Sequence, residues 1–280
     1  MEQIGTALDE EIIEPVFWRT AYRERRIEMI DHLSASQLNM FLRCPMQYRF
    51  RYIEGLRRPP LGKWIQGGAV HEALAHNYEQ KIKSHEDLKC SDVVGFMAAA
   101  FEARVKKEGE VDWEETLPGD LLDQGLLVTQ KYQKVWAPSV QPIAVELEQR
   151  IQFGEGFPDL LGYIDLINDS GLIIDHKVVA RRTPQGDANN AVQLSCYGMM
   201  RSVATGVEDQ ELAFDCLVKT KTPKVVRVNT MRKPPDHAFL LKQMGEIYRC
   251  IMAGVFVPNT NGWHCSPKYC GYYGMCRGKK

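Results

Sequence analysis

Hydrophobic and polar residues recur along this chain with two different periods, and the change falls near Pro142. Before that point, apolar residues follow helical spacing over about 91–108 and 119–136. Ser34-Ala-Ser-Gln37 reads as a capping box that starts an earlier helix through Leu38, Phe41 and Leu42. Gly67-Gly68 is read as the opening of another, which holds His71 and packs through small residues as far as Ala75. From Pro142 the period becomes two, and residues 143–153 predict a strand. Residues 161–179 then show two apolar, β-branched runs on either side of Asn168-Asp169-Ser170-Gly171, which is a hairpin signal. A helix over about 190–204, strands near 212–219 and 224–230, and a helix over about 236–253 complete the pattern. The end of the chain is irregular and rich in Gly and Tyr. With no internal repeat or low-complexity linker, one α/β domain around a mixed sheet is the economical reading.

The hairpin carries the first chemistry. Asp165 lies five residues before Ser170 and Asp175 five after it, so the pairing sets the two carboxylates opposite or nearly so. Alternation puts Asp175 and Lys177 on one face. Like charges so close repel. A divalent cation would neutralise them and accept their oxygens; two solvated carboxylates, one paired with Lys177, are the other reading. Gln193 and Tyr197, four apart, share a helix face. Residues 48–58 alternate aromatic and basic side chains, including Arg49, Arg51, Arg57 and Arg58. That composition suits a nucleic-acid backbone, and a solvated amphipathic face explains it nearly as well. Lys219, Lys221 and Lys224 make the turn after residue 218 basic.

Composition narrows the class. With 44% hydrophobic and 25% charged residues, the chain is ordinary for a globular protein, and no apolar run reaches membrane-span length. The acidic N-terminus does not resemble a secretory signal, so cytoplasm or another reducing compartment is expected. A formal net charge of -1 neither supports nor excludes a nucleic-acid partner. Of the eight cysteines, 90, 196, 216 and 250 stand singly and read as packed thiols. Cys265, Cys270 and Cys276 crowd into a Gly- and Pro-containing tail, as metal or cluster ligands do, and Cys44 beside Pro45 is the best fourth. Four thiolates suit zinc or an iron–sulfur cube, and Cys₃ with His264 also suits zinc.

In this order, the motifs resemble the PD-(D/E)XK nuclease superfamily, and within it the RecB-like, CRISPR-associated branch that carries an iron–sulfur cluster. Residues 34–50 match the opening helix with its first cluster cysteine, and His71 the metal-binding histidine. Gly162-Tyr-Ile-Asp165 matches G-x-x-D, Asp175-His-Lys177 matches D/E-x-K, and Gln193-Leu-Ser-Cys-Tyr197 matches Q-x-x-x-Y. The first two tail cysteines stand further apart than in many relatives, and position 176 is His where many have Tyr. The resemblance implies a restriction-endonuclease-like core with extra N-terminal helices and a C-terminal cysteine tail, occupying 31–280 after a segment at 1–30. It implies Mg²⁺ or Mn²⁺ held by His71, Asp165, Asp175 and the carbonyl of Val178, with Lys177 placing water and Gln193 and Tyr197 orienting the strand. Glu148 or Glu146 is a possible extra acid, alternation putting both on one face. It further implies a [4Fe-4S] cluster on Cys44, Cys265, Cys270 and Cys276, with structural Zn²⁺ as the alternative. The expected activity is DNA cleavage from ends or on single strands, in recombination, repair or CRISPR and phage DNA processing. Arg49, Arg51, Arg57, Arg58, Lys219, Lys221 and Lys224 are the expected phosphate contacts. The rival is a catalytically silent DNA-binding or structural subunit, which normally loses a metal carboxylate or the lysine.

Overall fold

A six-stranded mixed sheet divides two helical layers. The computed structural model describes residues 30–278, so all but the last residue of the expected segment at 1–30 lies outside the described residues. The strands are β1 (His32–Leu33), β2 (Pro142–Ile151), β3 (Asp159–Asn168), β4 (Ile173–Val179), β5 (Gln210–Val218) and β6 (Lys224–Arg232). Their order is β1-β3-β4-β5-β6, with β2 also on β3. β1 runs parallel to β3 and β4 parallel to β5, while β2–β3, β3–β4 and β5–β6 are antiparallel. A parallel neighbour needs a crossover. Between β4 and β5 it is made by α6 (Gln185–Asn189) and α7 (Val192–Thr205).

Alternation along the strands feeds one residue to each side: Ile173 enters the first core and Ile174 the second. The first is covered by α1 (Ala35–Arg43), α7 and α8 (Pro234–Met252). The second is covered by α3 (Gly62–Ser84), α4 (Cys90–Glu108) and α5 (Pro118–Val135). A short helix α2 (Pro45–Tyr48) continues into a π-helical turn at Arg49–Ile53, where aromatic–basic alternation had given no element. The tail ends in α9 (Tyr273–Cys276). Among the described residues no helix is long and apolar enough to cross a membrane.

Two local expectations change. Ser34 Oγ accepts from the Gln37 N–H at 3.3 Å, but the Gln37 amide donates to the His32 carbonyl at 3.3 Å and does not complete the box. Gly67 and Gly68 do not open their helix, which begins at Gly62. They lie in its second turn, where a Cβ on Gly68 would come 2.2 Å from Arg104 of α4. The pair sits inside the helix and does not mark its start.

Among the described residues Arg232 is the largest fully buried side chain, and it fixes the entry to α7. It donates to the carbonyls of Ala188, Ala191 and Met231 at 2.9, 3.2 and 2.9 Å and to Ser195 Oγ and Thr230 Oγ1 at 2.8 and 2.9 Å. Arg232→Met keeps volume but removes all of these donors. A loss of about 3 kcal/mol in denaturant unfolding is expected, and a loss under about 1 kcal/mol would contradict the clamp.

Candidate active site

β3 and β4 bridge at Leu166–Ile174 and Ile167–Ile173, which leaves Asp165 and Asp175 at the next facing positions. The neighbouring strand bends at the same level. Glu146 adopts a left-handed backbone with φ 44°, and alternation along β2 inverts there. Ala144 packs on the first core, Val145 on the second, and Leu147 again on the first. The facing strand inverts with it, because Ile164 joins the first core but Leu166 the second. The paired irregularity brings Glu146 and Asp165 to His71 of α3. His71 Nδ1 stands 3.2 Å from Asp165 Oδ2, and ligand atoms of His71, Glu146 and Asp165 lie within 4.8 Å of one another.

Asp175 is completely buried and ion-paired to Lys177 Nζ at 2.7 Å, yet neither of its oxygens receives a well-directed hydrogen bond. Lys177 Nζ donates to Gln193 Oε1 at 2.6 Å, and the Gln193 amide donates to the Tyr197 hydroxyl at 2.9 Å. The ammonium also lies 5.1 Å from the Phe214 ring centre. One connected row therefore joins β4 to the first turns of α7.

The electrostatics sort the acids. Burial raises the Asp175 pKa, and the charge of Asp165 adds to this against the pull of Lys177. Burial acts on Asp165 too, but His71 and His176 outweigh it and hold that carboxyl below its usual range. Glu146 opens to solvent on one side, yet desolvation by its neighbours and repulsion from Asp165 push it up to about 7. Burial works against the charge on Lys177, and Asp175 overcomes it. An imidazole, clustered carboxylates and a buried acid with an unpartnered Oδ1 form a donor set that fits a hard divalent cation.

The chain matches the sequence profile of the PD-(D/E)XK nuclease superfamily over residues 32–277. It belongs to that superfamily. A solved structure of a candidate exonuclease from Eubacterium rectale is 12% identical, with a TM-score of 0.57 over 89% of this chain and 88% of that one. At that identity the likeness concerns the fold, a restriction-endonuclease-like nuclease core. A second structure, SSO0001, is 15% identical over 94% of this chain and 92% of its own, and its TM-score of 0.40 is too low to argue from. No curated protein matches the nuclease chain.

The structure joins His71 to Asp165, and Asp175, Lys177, Gln193 and Tyr197 in a row. It also separates the two glutamates. Glu146 joins the nuclease cluster, while Glu148 accepts a hydrogen bond from Tyr163. A strict period of two put both on one face, and the left-handed residue at 146 breaks that period. Val178 follows on β4 in register with Leu217, its side chain against the second core.

Cys44, Cys265, Cys270 and Cys276 line one cavity with Met46, Phe50 and Tyr272. Gln47 Nε2 reaches Cys270 Sγ at 3.3 Å, the Asn259 N–H reaches Cys44 Sγ at 3.4 Å, and Arg277 Nη2 reaches Cys265 Sγ at 3.7 Å. Burial and the three neighbouring thiols push the Cys276 thiol up. Of the single cysteines, Cys196 and Cys216 are buried, whereas Cys90 and Cys250 are half-buried. The expected phosphate contacts divide. Arg49 pairs with Glu54 at 2.7 Å, Arg51 donates to the Tyr272 hydroxyl, and Arg58 lies 5.4 Å over the Tyr272 ring. Lys219 donates to Gln66 Oε1 at 2.8 Å, and Arg57, Lys221 and Lys224 are exposed.

Proposed function

We propose that this nuclease is a Mg²⁺- or Mn²⁺-dependent deoxyribonuclease acting on single strands or from DNA ends. The observation that carries the reading is the cluster of His71, Glu146 and Asp165 beside the buried carboxylate of Asp175, whose Oδ1 has no hydrogen-bond partner. Those side chains would hold the cation with the Val178 carbonyl. When bound, it supplies a Lewis acid for the phosphate and lowers the pKa of water. Lys177, anchored on Asp175 and Gln193, directs its ammonium to where water and developing negative charge meet. Gln193 and Tyr197 hold that lysine and flank the strand. An open cleft of about 630 Å³ between α3, α4 and β2 leads to His71 and Glu146. The name of the Eubacterium neighbour agrees with an end-directed enzyme.

The four thiols around one cavity supply the ligand count that a [4Fe-4S] cluster needs, with a Cys₄ zinc as the alternative. A reducing compartment such as cytoplasm agrees with eight free cysteines. Arg57, Lys221 and Lys224 are open to phosphate.

An end-directed enzyme degrades linear DNA and spares relaxed, covalently closed circles, and its binding weakens as salt rises. Assaying both forms side by side tests this; rapid linearisation of the closed circle at one position would instead indicate a sequence-specific endonuclease.

A further inference from the structure

We propose that His176 is a positioning residue that sets the orientation of Asp165, tied through Tyr132, Asp215 and Arg227 along one face of the sheet to its edge strand β6. This rests on the reading of Asp165 as a metal ligand. His176 lies between Asp175 and Lys177, and alternation sends its ring to the opposite face, toward α3 and α5. It is 3% exposed. Its backbone N–H donates to Asp165 Oδ2 at 2.8 Å, and its ring Nδ1 stands 3.6 Å from the same oxygen. A lone pair on Nδ1 would face a carboxylate, so that nitrogen carries the proton.

The other ring nitrogen continues inward. His176 Nε2 is 3.0 Å from the Tyr132 hydroxyl, which lies 3.2 Å from Asp215 Oδ2 and accepts from Tyr78 at 3.0 Å. Arg227 grips Asp215 with both ends of its guanidinium, at 2.7 and 2.8 Å, and lies 4.8 Å over the Trp136 ring. The strand register explains the alignment: His176 neighbours Asp215 on β5, and Asp215 neighbours Arg227 on β6. The rings of His71, Tyr78 and Tyr132 surround the imidazole at centroid distances of 5.9, 6.3 and 5.2 Å.

A merely space-filling core has no need of this row. Asp215 and Tyr132 are both completely buried, and taking such groups out of water costs free energy that apolar residues of equal volume would not. The row ends on the one oxygen that also meets His71. Partners behind metal ligands fix their orientation, and removing one typically costs about 10–100-fold in metal affinity or activity.

The test is Mn²⁺ affinity of the full, DNA-free protein, read from the electron paramagnetic resonance of unbound Mn²⁺. His176→Phe is expected to weaken binding about 10-fold or more. Tyr132→Phe, which removes one oxygen, weakens it less, and adding it to His176→Phe changes nothing further because Tyr132 acts through His176. His176→Asn, which returns a donor near the Nδ1 position, recovers part of the affinity. Should His176→Phe fail to fold, Tyr132→Phe and His176→Asn carry the comparison. Unchanged Mn²⁺ affinity in the folded variants, whatever their thermal midpoint, would overturn the positioning role while leaving a cleaving wild type as a nuclease. A wild type that neither binds Mn²⁺ nor cleaves DNA would overturn both.

Discussion

Lys177→Ala is expected to lower kcat for DNA cleavage by about 10²–10³-fold with little change in DNA binding, because its ammonium acts on charge that develops in the transition state. The same change strands Asp175, which is completely buried and has Lys177 as its ion-pair partner. Stability therefore falls with activity. Asp175→Asn takes the counter-charge from the Lys177 ammonium, so metal-free protein is expected to melt lower while cleavage is abolished. Kinetics at saturating DNA and a thermal scan in chelator check both halves. Full activity in Asp175→Asn would remove the proposed site.

The second large effect concerns the thiols. Cys44 follows α1 near the start of the fold, and Cys265, Cys270 and Cys276 are at its end, around one cavity. A cluster there closes a loop over most of the domain, and by analogy with long disulfide loops this contributes on the order of 5 kcal/mol. That is a large fraction of a typical domain's stability. Cys44→Ser and Cys276→Ser are expected to lose bound metal and unfold at clearly lower denaturant, with activity falling as a consequence. Protein purified without oxygen should be brown from thiolate-to-iron charge transfer. Colourless protein holding one zinc would reassign the cluster and leave the nuclease site in place. Unfolding unchanged in both variants would refute the closure.

The sequence was most legible where a single period or spacing decides the structure. The hairpin at 168–171, the shared face of Asp175 and Lys177, and the i, i+4 pair of Gln193 and Tyr197 follow from strand and helix periods, and their contacts agree. What it hid lies where a period breaks or where distant strands meet. Glu146 could not be chosen over Glu148 because a left-handed residue inside a strand leaves no mark in hydropathy. Gly67-Gly68 looked like a helix start because paired glycines usually punctuate the chain, whereas the helix already begins at Gly62. His176 had no assignable role, since Asp215 and Arg227 become its neighbours through sheet register alone. Arg51 and Arg58 read as phosphate contacts, and their packing on Tyr272 required the tail to return to α2.

Cleavage of end-labelled linear DNA by purified protein after chelation, with and without added Mg²⁺ or Mn²⁺, tests the central claim most directly, with Asp165→Asn alongside. The account predicts no cleavage without metal, restored cleavage when either cation is added to wild type, and none in Asp165→Asn under any condition. Metal-independent cleavage, or cleavage by Asp165→Asn equal to wild type, would contradict it.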